Sequence, residues 1–164
     1  STWFVSIPQR EPSLWALESY NSGWRALQSN KLALAQEKLD LAYAYVPENA
    51  ELNFALGNLR LAQGNRTAAK GFYVAALDLD PRHEGSYNNL GVLALDERRW
   101  KLAERFFSQA LRVSPGDAKT HYLLAKACYG AGDIPGARVE IERALSLDPR
   151  QQELLKFRDQ LELE

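Results

Sequence analysis

The chain has no methionine, one cysteine and two histidines among its 164 residues. Cys128 has no second cysteine to pair with, which excludes an intrachain disulfide and leaves the redox compartment undecided. Neither His83 nor His121 stands at metal-ligand spacing from Cys128 or from carboxylates, so the sequence predicts no metal site. Because methionine is missing even at the first position, we expect the chain to be an excised or processed part of a longer protein.

Long apolar runs and an excess of either charge are also missing. No apolar run approaches the roughly 20 residues that span a bilayer, so we expect no membrane insertion by this chain. Its 20 basic and 21 acidic residues give a net charge of −1, whereas nucleic-acid binding normally needs a basic stripe. The glycines mark turns rather than a loop that cradles phosphate, and the spacing of Glu140 and Glu142 points them to different sides of a helix. These absences predict that the chain is not an enzyme, takes no cofactor and binds no nucleic acid.

What the chain does have is a period of 34 residues. A proline column recurs at that spacing together with columns of small residues and one column of large apolar residues. Small residues at fixed points allow two helices to approach closely, and large residues beside them fill the remaining space. A fixed period of this size predicts stacked structural units. The columns are Pro47, Pro81, Pro115 and Pro149; Ala35, Ala69, Ala103 and Ala137; Ala42, Ala76, Ala110 and Ala144; Gly23, Gly57, Gly91 and Ala125; and Leu39, Tyr73, Phe107 and Ile141.

Within each window the pattern predicts a helix, a short turn and a second helix. In the last window, residues 118–130 have helical apolar spacing. Gly132 and Asp133, which follow them, indicate the turn that ends this helix. The second helix is predicted over residues 135–147, with Pro135 in the first turn, where its missing N–H costs nothing. It ends before Pro149, because the residue preceding a proline avoids helical geometry.

This pattern resembles the tetratricopeptide repeat family. The fourth window matches the family's columns with His121, Leu124, Ala125, Cys128, Ala137, Ile141, Ala144 and Pro149. The second window departs at Asn53 and Arg60, and the first at Ser19 and Ser22. The resemblance implies an all-α fold, a right-handed α-solenoid of four repeats over residues 16–49, 50–83, 84–117 and 118–149. An amphipathic capping helix is expected over residues 150–164, because a solenoid's last repeat otherwise exposes its apolar flank. Residues 1–15 are expected to be an extended segment, because Pro8 and Pro12 bar regular helix.

The same columns predict where the rare side chains lie. His121 and Cys128 fall in columns that pack between paired helices, so we expect a buried histidine and a cysteine that serves as a small apolar side chain. His83 follows Pro81 in a turn and is expected to be solvated. At 164 residues the chain is expected to form one domain-sized unit with a real core.

The family's concave groove, which is lined by the first helix of each repeat, supplies the candidate site. Lys119, Tyr122, Lys126 and Tyr129 stand three, four and three residues apart, on one face of the predicted helix. Ammonium groups suit carboxylates, amides can clamp a peptide backbone, and tyrosine rings offer apolar area. We therefore expect a protein or peptide ligand with an acidic group. The remaining candidates are Phe54, Asn58, Asn88 and Asn89, although aromatic candidates such as Phe54 and Tyr122 could instead pack against a neighbouring helix.

Some family members bind acidic chaperone tails through a five-residue carboxylate clamp. Asn58, Asn89 and Lys119 match that pattern, but Phe54 and Leu123 stand where cations are needed. A chaperone tail is therefore not the favoured ligand. The favoured hypothesis is a non-catalytic scaffold that binds a partner segment in the groove. The alternative is an assembly or oligomerisation module of a larger protein, with or without a membrane anchor, in which the apolar segment Trp3–Ile7 would be the stub after a transmembrane or enzymatic region. The same segment could also lie in the chain's own groove or in that of a second copy, which would make the chain a homo-oligomer.

Overall fold

The computed structural model describes residues 12–164 of the chain. This range contains nine α-helices and no β-strand, which confirms the predicted all-α class. The segment Trp3–Ile7 lies outside the described residues. The helices are α1 (Pro12–Gln28), α2 (Leu32–Tyr45), α3 (Ala50–Ala62), α4 (Arg66–Leu79), α5 (Glu84–Asp96), α6 (Trp100–Val113), α7 (Ala118–Gly130), α8 (Ile134–Leu147) and α9 (Gln152–Glu162).

Consecutive helices pair as helix-turn-helix hairpins, and the hairpins group into two compact units. Helices α1–α4 belong to unit 1, which ends at Leu79, and α5–α9 belong to unit 2, Asp80–Glu164. The expectation of one domain-sized unit is therefore wrong. The physical reason is that stacked repeats contact only their neighbours, so a repeat chain has no single central core that joins all of its helices.

The first helix begins earlier than the sequence predicted. Helix α1 starts at Pro12, whereas an extended segment was expected through residue 15. A proline in the first turn loses no intrahelical hydrogen bond, since the N–H it lacks would have no helical acceptor there. The interpretation of Pro12 as a helix breaker is therefore wrong.

Each hairpin closes at the predicted column of small residues. A Cβ atom added to Gly57 would lie 2.5 Å from the Tyr73 ring in unit 1, and one added to Gly91 would lie 2.5 Å from the Phe107 ring in unit 2. Tyr73 and Phe107 are completely buried. The absent side chain thus leaves room for a large ring from the paired helix, as the sequence pattern predicted.

The turn inside each hairpin has the same backbone conformation in all four windows. Asn30, Gly64, Arg98 and Gly132 stand 34 residues apart, and their φ angles are +57°, +79°, +58° and +83°. The next residue donates its N–H to a carbonyl five residues back, as in Asp133 N to Cys128 O at 2.9 Å. This arrangement is a Schellman motif, in which a left-handed residue ends the helix. Two of the four positions adopt it without glycine.

Side chains cap the first helix of three windows. Asn49, His83 and Asp117 accept hydrogen bonds from backbone N–H groups at the starts of α3, α5 and α7, respectively. His83 Nδ1 accepts from Ser86 N at 3.2 Å, and the residue is only 7% exposed. The expectation of a solvated His83 is wrong, because the turn that holds it is also the cap of α5.

In the first helix of three windows, three different side chains contact the equivalent proline carbonyl. Asn53 donates to the carbonyl of Pro47 at 2.9 Å, and Tyr87 donates to that of Pro81 at 2.9 Å. The His121 ring contacts the Pro115 carbonyl through Nε2 at 2.8 Å. Each donor stands six residues after its proline. The polar departure at Asn53 therefore satisfies a backbone carbonyl that the fold presents in every one of these windows.

Candidate functional site

Four of the predicted site residues lie along one side of α7 in unit 2. We call Lys119, Tyr122, Lys126 and Tyr129 the α7 face. Lys119 is exposed and the other three are half-buried. The buried stripe of the same helix includes Leu124, Ala125 and Cys128 on its other side, so the helix separates its core contacts from a row of hydroxyl and ammonium groups. The structure thus brings these four side chains together.

Helix α9 lies against the α7 face. The Phe157 ring meets Tyr122 edge-on with centroids 5.6 Å apart, and it meets Tyr129 in the same way at 6.0 Å. The Tyr122 hydroxyl donates to Glu153 Oε1 at 3.2 Å, and the Tyr129 hydroxyl donates to Glu164 Oε1 at 2.7 Å. Both tyrosines of the predicted groove therefore have partners within the chain.

Sequence reasoning missed this contact although a signal for it exists. The window period extends past Pro149, because Leu154, Phe157 and Leu161 stand 34 residues after Thr120, Leu123 and Ala127. All three α9 residues are buried. Helix α9 therefore takes the place of a first helix in a fifth window.

The electrostatics of the α7 face keep its hydroxyls protonated. Burial, together with the charge and hydrogen bond of Glu153, raises the pKa of Tyr122 to about 12. The hydrogen bond to Glu164 raises the pKa of Tyr129. The Lys126 ammonium lies 5.3 Å from the centroid of the Tyr122 ring, within the range of a cation–π interaction. The face therefore combines two hydroxyls that donate to carboxylates of the same chain with the side chains of Lys119 and Lys126.

Two hollows open beside the α7 face. The first, of about 360 Å³, lies between α7 and the start of α9. The second, of about 590 Å³, lies between α7, α9 and the turn from α5 to α6. Both volumes fall in the range of ligand pockets in proteins. Tyr122 and Lys126 line both hollows; Lys119, Asp148 and Glu153 complete much of the first, and Asp96, Arg98, Trp100, Tyr129 and Phe157 line the second.

The predicted amides of α5 lie in the same unit. Asn88 accepts a hydrogen bond from the Thr120 hydroxyl at 3.0 Å, and its amide nitrogen lies 3.4 Å from Glu84 Oε1. Glu84 in turn accepts from the Ser114 hydroxyl at 2.6 Å. Asn88 therefore joins α5 to α7, a structural use that the sequence pattern did not reveal. Asn89 is half-buried on α5.

The other two predicted residues, Phe54 and Asn58, belong to unit 1. The Phe54 ring centroid lies 6.4 Å from that of Trp24 and 5.8 Å from that of Tyr73. The Tyr73 hydroxyl donates to Asn58 Oδ1 at 2.6 Å. The alternative that Phe54 packs against its neighbours therefore describes the structure, and Asn58 satisfies a buried hydroxyl in the same cluster.

The only cysteine lies in the core, as predicted. Cys128 is 7% exposed, and its sulfur and the carboxylate oxygens of Glu104 and Asp133 all lie within 4.8 Å of one another. Burial first, and then the charge and hydrogen bond of Glu104, raise the pKa of the thiol to about 12. The thiol is therefore protonated at neutral pH and is a poor nucleophile.

His121 also lies in the core, 8% exposed, as the sequence predicted.

Among the described helices, none combines the length and the hydropathy that crossing a membrane requires.

Two models of the tetratricopeptide repeat family match the chain, one over residues 20–84 and the other over residues 94–161. Similar proteins include the tetratricopeptide repeat and J domain-containing co-chaperone DNJ1 of Cryptococcus neoformans, 34% identical over 52% of this chain and 16% of its own length. Human tetratricopeptide repeat protein 16 is 33% identical over 62% of this chain and 12% of its own length. The chain thus spans a small part of these two relatives.

A third relative and two solved structures align over more of their length. The photosystem I assembly protein Ycf3 of Synechococcus elongatus is 25% identical over 68% of this chain and 74% of its own length. MamA from Desulfovibrio magneticus RS-1 superposes with a TM-score of 0.82 at 21% identity, covering 90% of this chain and 84% of MamA. Pseudomonas aeruginosa PilF gives 0.82 at 19% identity, covering 93% and 69%. These structural likenesses show the helical-repeat fold.

Proposed function

The chain belongs to the tetratricopeptide repeat family, and we propose that the α7 face of unit 2 is where it binds a segment of a partner protein. Proteins of this family bind protein partners, and the chain is a protein–protein interaction module. The repeat fold is typically a non-catalytic scaffold, and the proposal assigns no reaction to the chain.

One observation carries the proposal. Tyr122 and Lys126 line both hollows, so one aromatic ring and one ammonium group stand between the two spaces. A segment lying across α7 would therefore fill both hollows and contact these two side chains on its way. Aromatic side chains with a polar tip contribute strongly to binding at such positions.

The two lysines favour an acidic segment. Lys119 and Lys126 are seven residues apart, which on a helix is two turns, or about 10 Å. In a helical partner segment, two carboxylates seven residues apart lie on the same face and are separated by the same distance. Two carboxylates at that spacing could each approach one ammonium group. The nearby carboxylates of Asp96 and Asp148 would limit the acidity that the site accepts.

The relatives do not narrow the partner further. DNJ1 is named as a co-chaperone, but Leu123 stands where a chaperone-tail clamp needs a cation, so a chaperone tail is not the favoured ligand. We favour a segment that combines an aromatic or apolar anchor with an acidic group.

An assembly role is the second candidate, and one observation favours it. Leu14, Trp15 and Leu17 at the start of α1 are 50%, 49% and 53% exposed. Large apolar side chains grouped at one end of a helix often mark a contact surface. Ycf3 is named as an assembly protein. Self-association through Trp3–Ile7, which precedes this helix, remains part of that alternative.

The experiment compares two charge-reversed variants of the full chain on an array of acidic peptides and their amide-matched counterparts. Lys119→Glu with Lys126→Glu should weaken binding to the acidic peptides about tenfold, since two attractions become repulsions. The control, Lys31→Glu with Arg112→Glu, makes the same change in net charge at two exposed cationic residues that line neither hollow. Equal binding by the two variants would reject the α7 face as the site.

A further inference from the structure

Within unit 2, helix α9 contacts two of the four side chains that the proposed site would offer to a partner, Tyr122 and Tyr129. The Phe157 ring of α9 lies against Tyr122 and Tyr129. Their hydroxyls donate to Glu153 of α9 and to Glu164, which stands two residues after the helix. On the side of α8, the Arg138 guanidinium donates to the Leu161 carbonyl at 3.2 Å. The chain therefore contains an example of a segment that fits the α7 face.

The sequence of α9 shows which pattern of apolar and acidic residues such a segment has. Leu154, Phe157 and Leu161 are buried and place apolar groups at the first, fourth and eighth positions of a helix. Carboxylates stand one residue before the first and three residues after the last of these positions. A helix with this pattern has one apolar stripe with an acidic group at either end.

Helix α9 is shorter than α7 and α8, and unlike them it has no side-chain cap. It has eleven residues, and isolated helices shorter than about 12–15 residues are marginal in water. Its N-cap residue, Gln151, makes no side-chain capping hydrogen bond, whereas Asp117 and Asp133 cap α7 and α8. Leu163, just after the helix, is 88% exposed. Helices of this kind open before the rest of a domain.

We infer that the partner of unit 2 is an acidic amphipathic helix of the α9 pattern, and that α9 is the resident helix which this partner displaces. The inference rests on the proposed function, because it concerns the same α7 face. A partner helix in the place of α9 would have to supply the wall that Glu153 and Phe157 now give to the two hollows. Binding would then be regulated by the chain itself: an incoming helix gains the contacts to Tyr122 and Tyr129 only as α9 releases them. Such competition lowers the apparent affinity by the fraction of time that the site is open.

The test uses a fluorescein-labelled peptide of residues 150–164 and the full chain, measured by fluorescence anisotropy. Phe157→Ala with Leu161→Ala weakens the resident helix, and this variant should bind the labelled peptide at least about tenfold more tightly than the parent chain. The matched control peptide carries Phe157→Ala, Glu153→Gln and Glu164→Gln, and it should show no such gain. A folded variant that binds the labelled peptide no better than the parent would overturn the inference.

Hydrogen exchange of the unmodified chain gives a second readout that does not depend on the variant's folding. The α9 amides should exchange through an opening that leaves the α7 amides protected. If the amides of the two helices were equally protected, α9 would not open separately from α7. A partner could then not displace it, and the inference would be overturned. The lysine variants distinguish failure of this inference from failure of the proposed function. Binding of acidic peptides by those variants tests the role of Lys119 and Lys126. The affinity for the labelled peptide and the amide exchange test whether α9 is displaced.

Discussion

Glu140 Oε2 and His121 Nδ1 lie 2.8 Å apart in the interior of unit 2, where each residue is 8% exposed. The other oxygen of the same carboxylate accepts from Arg143 at 2.7 Å, and the other nitrogen of the ring contacts the Pro115 carbonyl. One chain of polar contacts thus joins α8, α7 and the loop before α7. Buried polar networks of this kind stabilise a fold when every member has a partner.

We expect Glu140→Ala to lower the free energy of unfolding by about 1–3 kcal/mol, because it leaves the buried His121 nitrogen without its partner. Glu142→Ala is the control, since Glu142 is exposed on the same helix, and it should change stability by less than about 0.5 kcal/mol. Urea denaturation followed by circular dichroism measures both. Similar losses for the two variants would show that the His121–Glu140 contact does not stabilise the fold.

Two glycine substitutions should have opposite signs. Gly91→Ala places a methyl group 2.5 Å from the Phe107 ring and should destabilise the chain by about 1–3 kcal/mol. Gly71 lies on an exposed part of α4 with nothing within 4 Å of its added Cβ. Gly71→Ala should therefore stabilise the chain by about 0.5–1 kcal/mol, the helix preference of alanine over glycine. The check is the pair of urea midpoints relative to that of the parent chain.

The left-handed turn residues predict a stabilising substitution. Arg98 has a φ of +58°, which disfavours any residue with a Cβ, so Arg98→Gly should raise the free energy of unfolding by about 0.5–1 kcal/mol. Gly132→Ala, at the equivalent position of the next window, should lower it by about 1 kcal/mol or more. Thermal melts of both variants test this. A melting temperature that falls for Arg98→Gly would mean that the Arg98 side chain stabilises the turn more than its backbone conformation costs.

The raised pKa of Tyr122 predicts a loss of stability in alkali. The unfolded chain releases this proton near pH 10, whereas the folded chain holds it until about pH 12. The unfolded state therefore binds fewer protons between these values, and the free energy of unfolding falls as pH rises through that window. Tyr122→Phe removes this contribution. Denaturation at a series of pH values from 8 to about 11 should show a shallower decline for the variant, and identical slopes would contradict the prediction.

The 34-residue register was enough to predict most of the fold. It predicted a helix over residues 118–130, where α7 is found, and one over 135–147, where α8 begins one residue earlier. It also identified Gly57 and Gly91 as points of close approach. These predictions succeeded because side-chain size at a fixed spacing directly limits how closely two helices can pack.

The side-chain roles were harder to predict because different residue types perform the same one. Asn53, Tyr87 and His121 satisfy equivalent proline carbonyls with an amide, a phenol and an imidazole. A pattern of sizes does not reveal a shared hydrogen-bond donor. The intrachain hydrogen bonds of Asn58 and Asn88 were missed for a related reason, since an amide on a helix face bonds a neighbouring hydroxyl as readily as a peptide.

The candidate site was predicted only in part. The spacing of Lys119, Tyr122, Lys126 and Tyr129 placed them correctly on one face of α7. Their partners in and after α9 were not predicted, because an amphipathic pattern over residues 150–164 indicates a capping helix without showing which side chains of α7 it contacts. The face of α7 that a capping helix covers depends on which tyrosine hydroxyls its carboxylates can reach. That reach is set by three-dimensional contacts and cannot be read from the sequence period.

The attachment of α9 gives unit 2 a mechanical order. A pulling force applied at the C-terminus acts first on Glu164 and Leu161, and therefore on the Tyr129 hydroxyl and the Arg138 guanidinium that hold them. Those contacts would break in sequence, starting from the C-terminus, before the force acted on the Gly91–Phe107 contact between α5 and α6. Tension applied at residue 164 would therefore uncover the α7 face while the hairpins beneath it stayed folded.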